Sequence, residues 1–285
     1  MVTEFLIAFL LSYVFGTLGI AIGYHRLLSH RSYRCPKAVE YFWVGCGYLA
    51  FQSSPIWWAT MHRAHHKYSD TELDPHAGMH GWRRSIYGWI FDDAYPEYVK
   101  PNECGKDLVK DPLYRFLDQD GKVQRAHLLN GFSNFLFRFG VLYFFGLPAA
   151  LGSLIAGLML QQVTLIFNKI SHIDSLGYRN YDTTDDSVNI GWLSLLTFGE
   201  GLHNNHHARP GMASSAARAN EFDPSFMVIK LMKKLGLVSW FNDGTQKVYP
   251  VAVPVPVGAA DFNLPDDSAS LDIGKELRHR TVLVK

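Results

Sequence analysis

Cysteine is scarce: 285 residues contain 3, at Cys35, Cys46 and Cys104. That is too few, and too irregularly spaced, for a disulfide framework, a cysteine-based zinc site or an iron–sulfur cluster, and it fits a reducing compartment. A surplus of either charge is also missing. With 27 basic and 26 acidic residues the net charge is +1, which offers no footprint for nucleic acid. Met1 to Glu4 carry no basic stretch and no small-residue cleavage site follows, so the first apolar run reads as an uncleaved membrane helix rather than a signal peptide. No internal repeat of useful length is visible apart from two short histidine clusters of the same form, and no fused electron-carrying domain is expected.

What is abundant is apolar and aromatic, 48% and 14% of residues, gathered in blocks. Phe5 to Tyr24 is uncharged and long enough to cross a hydrocarbon core of roughly 30 Å. A second stretch covers Ala38 to Trp58. A third, Phe132 to Phe167, is long enough for two crossings broken near Gly146-Leu147-Pro148. Val188 to Phe198 and Phe226 to Phe241 are half apolar, as expected of amphipathic pieces. Arg26, Arg31, Arg34, Lys37, Arg63, Lys67, Lys169 and Arg179 flank one set of span ends, whereas Gly146 to Gly152 has no basic residue. The positive-inside rule therefore places the former side in the cytoplasm. The expected fold is all-α: multi-pass membrane helices with a cytoplasmic helical cap, residues 1–248, followed by a flexible tail over 249–285.

The chain has 13 histidines, and nine are clustered: His25 and His30 in HRLLSH, His62, His65 and His66 in HRAHH, the single His172, and His203, His206 and His207 in HNNHH. Spacing i, i+3, i+4 lets a short helix present several imidazoles in one direction, a face suited to metal. His25 and His30, five apart, diverge around an α-helix, so they serve different metals or sit where the helix ends. Nine imidazoles exceed the roughly six ligands of one first-row ion, which points to a di-metal site. Ligand type alone leaves iron, zinc, copper and nickel open. His76, His80, His127 and His279 are read as ordinary packed or surface residues. Because the clusters must meet on one membrane side, Ala38 to Trp58, lying between His30 and His62, is expected to re-enter or lie in the interface.

The segments GYHRLLSHRSY, HRAHHKYSDTELDPH, Asn168 to His172 and LTFGEGLHNNHH, in this order, resemble the integral-membrane fatty acyl desaturases, delta-9 acyl-lipid and acyl-CoA enzymes among them, over about Gly16 to Arg209. The resemblance implies that the nine histidines bind two Fe2+ ions. It also implies that Asn168, four residues before His172, holds a metal-bound water, and that O2 and two electrons from a separate ferredoxin or cytochrome b5 type donor introduce a double bond into an acyl chain. It further implies a kinked apolar channel beside Gln52, Trp58 and Thr164. Lys169 stands where the family usually has Ser, and reads as a snorkelling helix-end lysine, with contact to the substrate head group as the alternative.

Asp70, Asp74 and Glu200 are expected to orient ligating imidazoles through the second ring nitrogen, with turn or helix-cap roles as the alternative for the aspartates. Animal acyl-CoA members carry an Arg-Asp pair just before the second box. This chain has Thr60-Met61 there, which argues against coenzyme A and makes lipid- or carrier-protein-linked chains at least as well expected, while Arg83, Arg84, Arg115 or Arg125 would offer a CoA-linked chain other phosphate contacts. Competing readings are a hydroxylase or acetylenase on the same metals, or, in another class, a non-redox zinc-binding membrane protein. A transporter would carry its ionisable groups inside the spans rather than beside them.

Overall fold

A computed structural model describes residues 1–76 and 81–245. The tail expected from 249 onward, with His80 and His279, lies outside the described residues. The described chain is mostly helical. Helix α1 (Val2–Leu18) continues without a break into a π-helical segment, Gly19–Ser29. Next come α2 (Lys37–Tyr48), α3 (Pro55–Tyr68), α4 (Trp82–Ile86), α5 (Pro101–Cys104), α6 (Pro112–Asp118) and the long α7 (Val123–Ile170). The short α8 (Gly191–Leu196), α9 (His203–Ala208) and α10 (Pro224–Lys234) follow. The two-residue strands β1 (Tyr33–Arg34) and β2 (Trp240–Phe241) pair antiparallel, pinning the segment after α10 to the end of the first histidine box.

Among the described residues two helices are long and apolar enough to cross a membrane, Val2–Ser29 and Val123–Ile170. The second breaks at Gly146, whose φ of 82° and ψ of 172° only glycine adopts without strain, and Pro148 follows it. The break falls where the sequence places it, so the two arms run back along each other. Large apolar side chains stay exposed along α1 (Leu6, Leu10) and on the first arm of α7 (Phe132, Phe135, Phe139, Phe144), as on a surface that meets lipid rather than water.

The stretch Ala38 to Trp58 becomes two helices joined by a turn in which Phe51 and Ser53 take positive φ, 57° and 63°. At 12 residues α2 spans about 18 Å, short of a bilayer core. Its terminal carbonyls therefore end among apolar helices and need donors. The first arm of α7 supplies them: Asn130 and Asn134 amides donate to Tyr48 O at 2.8 and 2.9 Å, and Arg138 donates to Leu49 O at 2.7 Å. Close backbone approach makes this packing possible. A side-chain carbon at Gly19 would collide with the backbone of α2 at Gly47.

The amphipathic pieces are shorter than the sequence suggests. α8 buries Leu193 and exposes Trp192 and Leu195; α10 buries Ile229 and Met232 and exposes Met227 and Leu231.

Candidate metal centre

The first box owes its geometry to the π-helix. Five residues along an α-helix leave side chains about 140° apart. In the π-helix the N–H of His30 instead donates to the carbonyl of His25 at 3.1 Å, so five residues nearly complete a turn. His25 and His30 consequently face the same point, their ring centres 4.8 Å apart. Both rings fall in one group of converging nitrogens, with His62, His66 and His206. His30 does sit where the helix ends, as its C-cap residue.

The two triplets divide. On α3, His62 and His66 point one way and His65 another; on α9, His203 and His207 pair and His206 turns aside. An i, i+4 pair lies about 40° apart while i+3 lies about 60° to the other side, so one helix serves two centres. The result is two sets of converging nitrogens. His25, His30, His62, His66 and His206 form one; His65, His172, His203 and His207 form the other, and within each set the ligand atoms lie within 4.8 Å of one another.

Carboxylates occupy the outer nitrogens. His65 Nδ1 donates to Asp74 at 2.9 Å, His172 Nδ1 to Asp70 at 2.7 Å and His207 Nδ1 to Asp185 at 2.7 Å, while Glu200 lies against His25 Nδ1. Asp185 was not singled out from sequence, because it sits in the aperiodic run Tyr181 to Ser187 with no spacing to mark it. Asp74 also accepts from the backbone N–H of Asp70 and of His76, so its turn role and its imidazole contact coexist.

Where Nδ1 donates to a carboxylate, as in His65, His172 and His207, Nε2 keeps a lone pair, and across both sets the Nε2 atoms face one another. His25 and His206 approach at 2.9 Å, His66 and His206 at 2.9 Å, His30 and His62 at 2.9 Å, and His172 and His203 at 3.1 Å. His207 Nε2 is buried without a hydrogen-bond partner. Burial, and then repulsion among neighbouring imidazoles, holds His62, His66, His203, His206 and His207 well below the ordinary histidine range. Buried, neutral nitrogens aimed at common points are the donor set a cation needs, so these residues fit a pair of metal ions. His65 differs: burial would lower it, but the Asp74 charge and hydrogen bond more than reverse this and raise it.

Two arginines counted from sequence as topological charges are buried clamps. Arg26 donates to Glu200, Asp223 and the carbonyl of Ala213. It thereby fixes the carboxylate that orients His25. Arg63 reaches the carbonyls of Leu28 and Ser29 and the carboxylate of Asp107, tying α3 to the end of the π-helix. The available signal was their place between histidines, where a cation has acidic and carbonyl partners to meet.

A cavity of about 460 Å³ leads to this centre, lined in part by Gln52, Trp58, Thr164, Asn168 and His62. Trp58 Nε1 donates to Gln52 Oε1 at 3.3 Å, and Trp58 stacks on His62 with ring centres 5.0 Å apart. Trp58, His62, Thr164 and Asn168 also line a smaller void of about 60 Å³ that touches His25, His65 and His203. Asn168 and His172 do not share a helical face: α7 ends at Ile170, and Ser171 O accepts from Val188 N at 2.9 Å, drawing the chain away. Lys169 places its ammonium over the Trp82 ring, 5.7 Å from the centroid. His76, read as a bystander, is buried with its ring 4.4 Å from that of His65 and lines the larger cavity. His127 meets Ser53 at 2.5 Å in the same cavity wall.

The profile of the fatty acid desaturase family matches residues 4–220. The chain is 37% identical over 248 residues to an sn-1 stearoyl-lipid 9-desaturase of Anabaena variabilis, covering 82% of each protein. It is 37% identical over 235 residues to delta-9 acyl-lipid desaturase 1 of Arabidopsis thaliana, covering 81% of this chain and 72% of that one. An acyl-CoA 5-desaturase of Anemone leveillei is 36% identical over 236 residues, covering 79% and 68%. With its histidine boxes folded into one buried double cluster, this chain belongs to the fatty acid desaturase family and is an oxidoreductase acting on fatty acyl chains.

Proposed function

We propose that the chain is a multi-pass membrane enzyme that inserts a double bond into a lipid-linked acyl chain, using O2 and two electrons from a separate carrier. In this reading His25, His30, His62, His66 and His206 hold one iron and His65, His172, His203 and His207 the other, with Asn168 adding a water. Iron held this way supplies, once reduced, the oxygen activation that an unactivated C–H bond requires.

The observation that carries the reading is the meeting of an apolar cavity with the double histidine cluster at Trp58, His62, Thr164 and Asn168. The protein's own contribution is positional. Trp58, braced by Gln52 on one side and His62 on the other, and Thr164 on the second arm of α7 would hold two adjacent carbons beside the cluster while the walls exclude water. A closed zinc site fits less well, since structural zinc takes four ligands and the first set offers five.

Thr60 and Met61, just before the second box, are buried, so no charge is available there for a coenzyme A head group. That favours a lipid carrier, as named for the Anabaena and Arabidopsis relatives. The histidine-bearing ends would face the cytoplasm, with Gly146 at the opposite surface. The lipids of a host expressing this chain, profiled by mass spectrometry with double-bond localisation beside a host expressing His206→Ala, test the assignment. A new unsaturated species lost in the variant supports it, and a hydroxylated or alkynyl product would move it to a sibling chemistry.

A further inference from the structure

The double cluster has a second face. Beside it lies a polar cleft of about 1420 Å³ whose lining includes His30 and His66 of the five-histidine set. None of its lining residues lines either apolar void: His62, His25, His65 and His203 look toward those, while His30 and His66 look toward the cleft. The histidine cluster thus borders the apolar voids through one group of imidazoles and the cleft through another, and electrons can cross the imidazole edges between them.

The cleft is strongly cationic. Arg31, Arg34, Lys37, Arg63, Lys67 and Arg209 line it against two carboxylates, Glu40 and Asp107. Asp107 is taken up between Arg63 and Arg31, and Glu40 by Lys37. Arg34 and Arg209 are exposed and rest on aromatic shelves, over Trp240 at 5.3 Å and Tyr181 at 5.1 Å. Planar cations held this way keep their charge for a partner and lose little freedom on binding one.

We infer that this cleft is the docking surface for an acidic one-electron carrier protein, which reduces the five-histidine metal through His30 and His66. The inference rests on the desaturase reading, whose balance requires such a carrier. Two C–H bonds break and one C=C π bond forms, so the substrate gives up two electrons and two protons. Two further electrons arrive singly from the carrier with two protons from water, and O2 is reduced to two molecules of water.

The test uses the full-length, iron-loaded enzyme in lipid nanodiscs, with a soluble plant-type ferredoxin as acidic probe and the basic protein cytochrome c as charge control. Binding and turnover are compared for the native chain and for Arg34→Glu/Arg209→Glu, with Arg34→Gln/Arg209→Gln as a milder pair in case charge reversal impairs folding. The expected result is at least about a 10-fold weaker ferredoxin Kd and a matching rise in its KM, a flatter dependence of Kd on salt, and no binding of cytochrome c to the native cleft. Turnover driven by dithionite should stay within about 2-fold. Unchanged ferredoxin affinity in both variants overturns the inference. So does a rise in the KM for acyl substrate with ferredoxin kinetics intact, which would make the cleft a head-group site. Native enzyme that makes no unsaturated product with either reductant would instead refute the desaturase reading, a separate failure.

Discussion

The two histidine sets differ in how they are held. In the four-histidine set, three imidazoles are pinned from behind by Asp70, Asp74 and Asp185. In the five-histidine set one carboxylate, Glu200, backs His25, and it is shared with the buried Arg26. The first set is rigid and anionic around its edge. The second rests on a π-helix and borders both the apolar void and the polar cleft. A carboxylate behind an imidazole fixes its tautomer and raises its basicity, so the four-histidine ion should be bound more tightly and the five-histidine ion should be the more accessible to substrate and reductant.

The largest effect should come from removing a ligand. His66→Ala and His207→Ala are each expected to lower product formation at least about 100-fold, read by lipid mass spectrometry. Metal analysis should show one ion lost in each variant. Chelator challenge then separates the two sets: native protein should release one ion first, and the single ion left in His207→Ala should leave faster than the single ion left in His66→Ala.

Removing a carboxylate should act unequally. Asp185→Asn is expected to weaken metal retention about 10- to 100-fold at the four-histidine set alone, seen as faster iron release. Arg26→Met, by contrast, strands Glu200 and Asp223 as buried anions. A loss of about 3–5 kcal/mol in folding stability is expected, measured by thermal unfolding, and a fall in activity follows from that.

Acid should separate metal-free protein from loaded protein. Six clustered imidazoles, His30, His62, His66, His203, His206 and His207, sit below their ordinary value of 6.5, so the unfolded chain takes up more protons than the folded one as pH falls past about 6.5. Chelated protein should therefore lose thermal stability progressively below that pH. Asp70, Asp74, Asp185 and Glu200 are depressed against the effect of burial, chiefly by His172, by His65, by Ser187, and by His25 with Arg26 respectively. Their stabilisation is present above the ordinary carboxylate range and is lost as pH falls through the folded values. His65, raised, works the other way: its contribution is present below 6.5 and fades as pH rises through its folded value. A Tm that is flat between pH 7 and pH 5 in the chelated protein would contradict this.

The smallest effects belong to the cavity wall. Thr164→Val keeps the volume but removes a hydroxyl that donates to Leu160 O in its own helix. Activity should change less than about 3-fold, with any shift appearing in chain-length preference. Trp58→Ala, which removes the ring stacked on His62, should broaden double-bond position.

Much of this was legible in the sequence because it depends on local spacing. HxxHH on a helix shows its imidazoles at once, and Gly146-Leu147-Pro148 announces a break. What escaped depends on contacts between distant segments. That His25 and His30 converge depends on i→i+5 bonding, which no residue preference in Gly19 to Ser29 signals. Arg26 and Arg63 look like flanking charges until their partners at Asp223, Glu200 and Asp107 fold against them. Asp185 is one aspartate among several in a loop, selected only by where His207 falls. The polar donors Asn130, Asn134 and Arg138 sit at or inside an otherwise apolar block, and their purpose appears only when α2 ends against them.

If the nine histidines hold two ions in separate sets of five and four, iron content per chain after anaerobic reconstitution, measured by mass spectrometry on protein of known concentration, should show it. Two irons per chain, falling to one in both His66→Ala and His207→Ala, is the predicted result. A single iron in the native protein, or zinc retained in preference to iron, would contradict it.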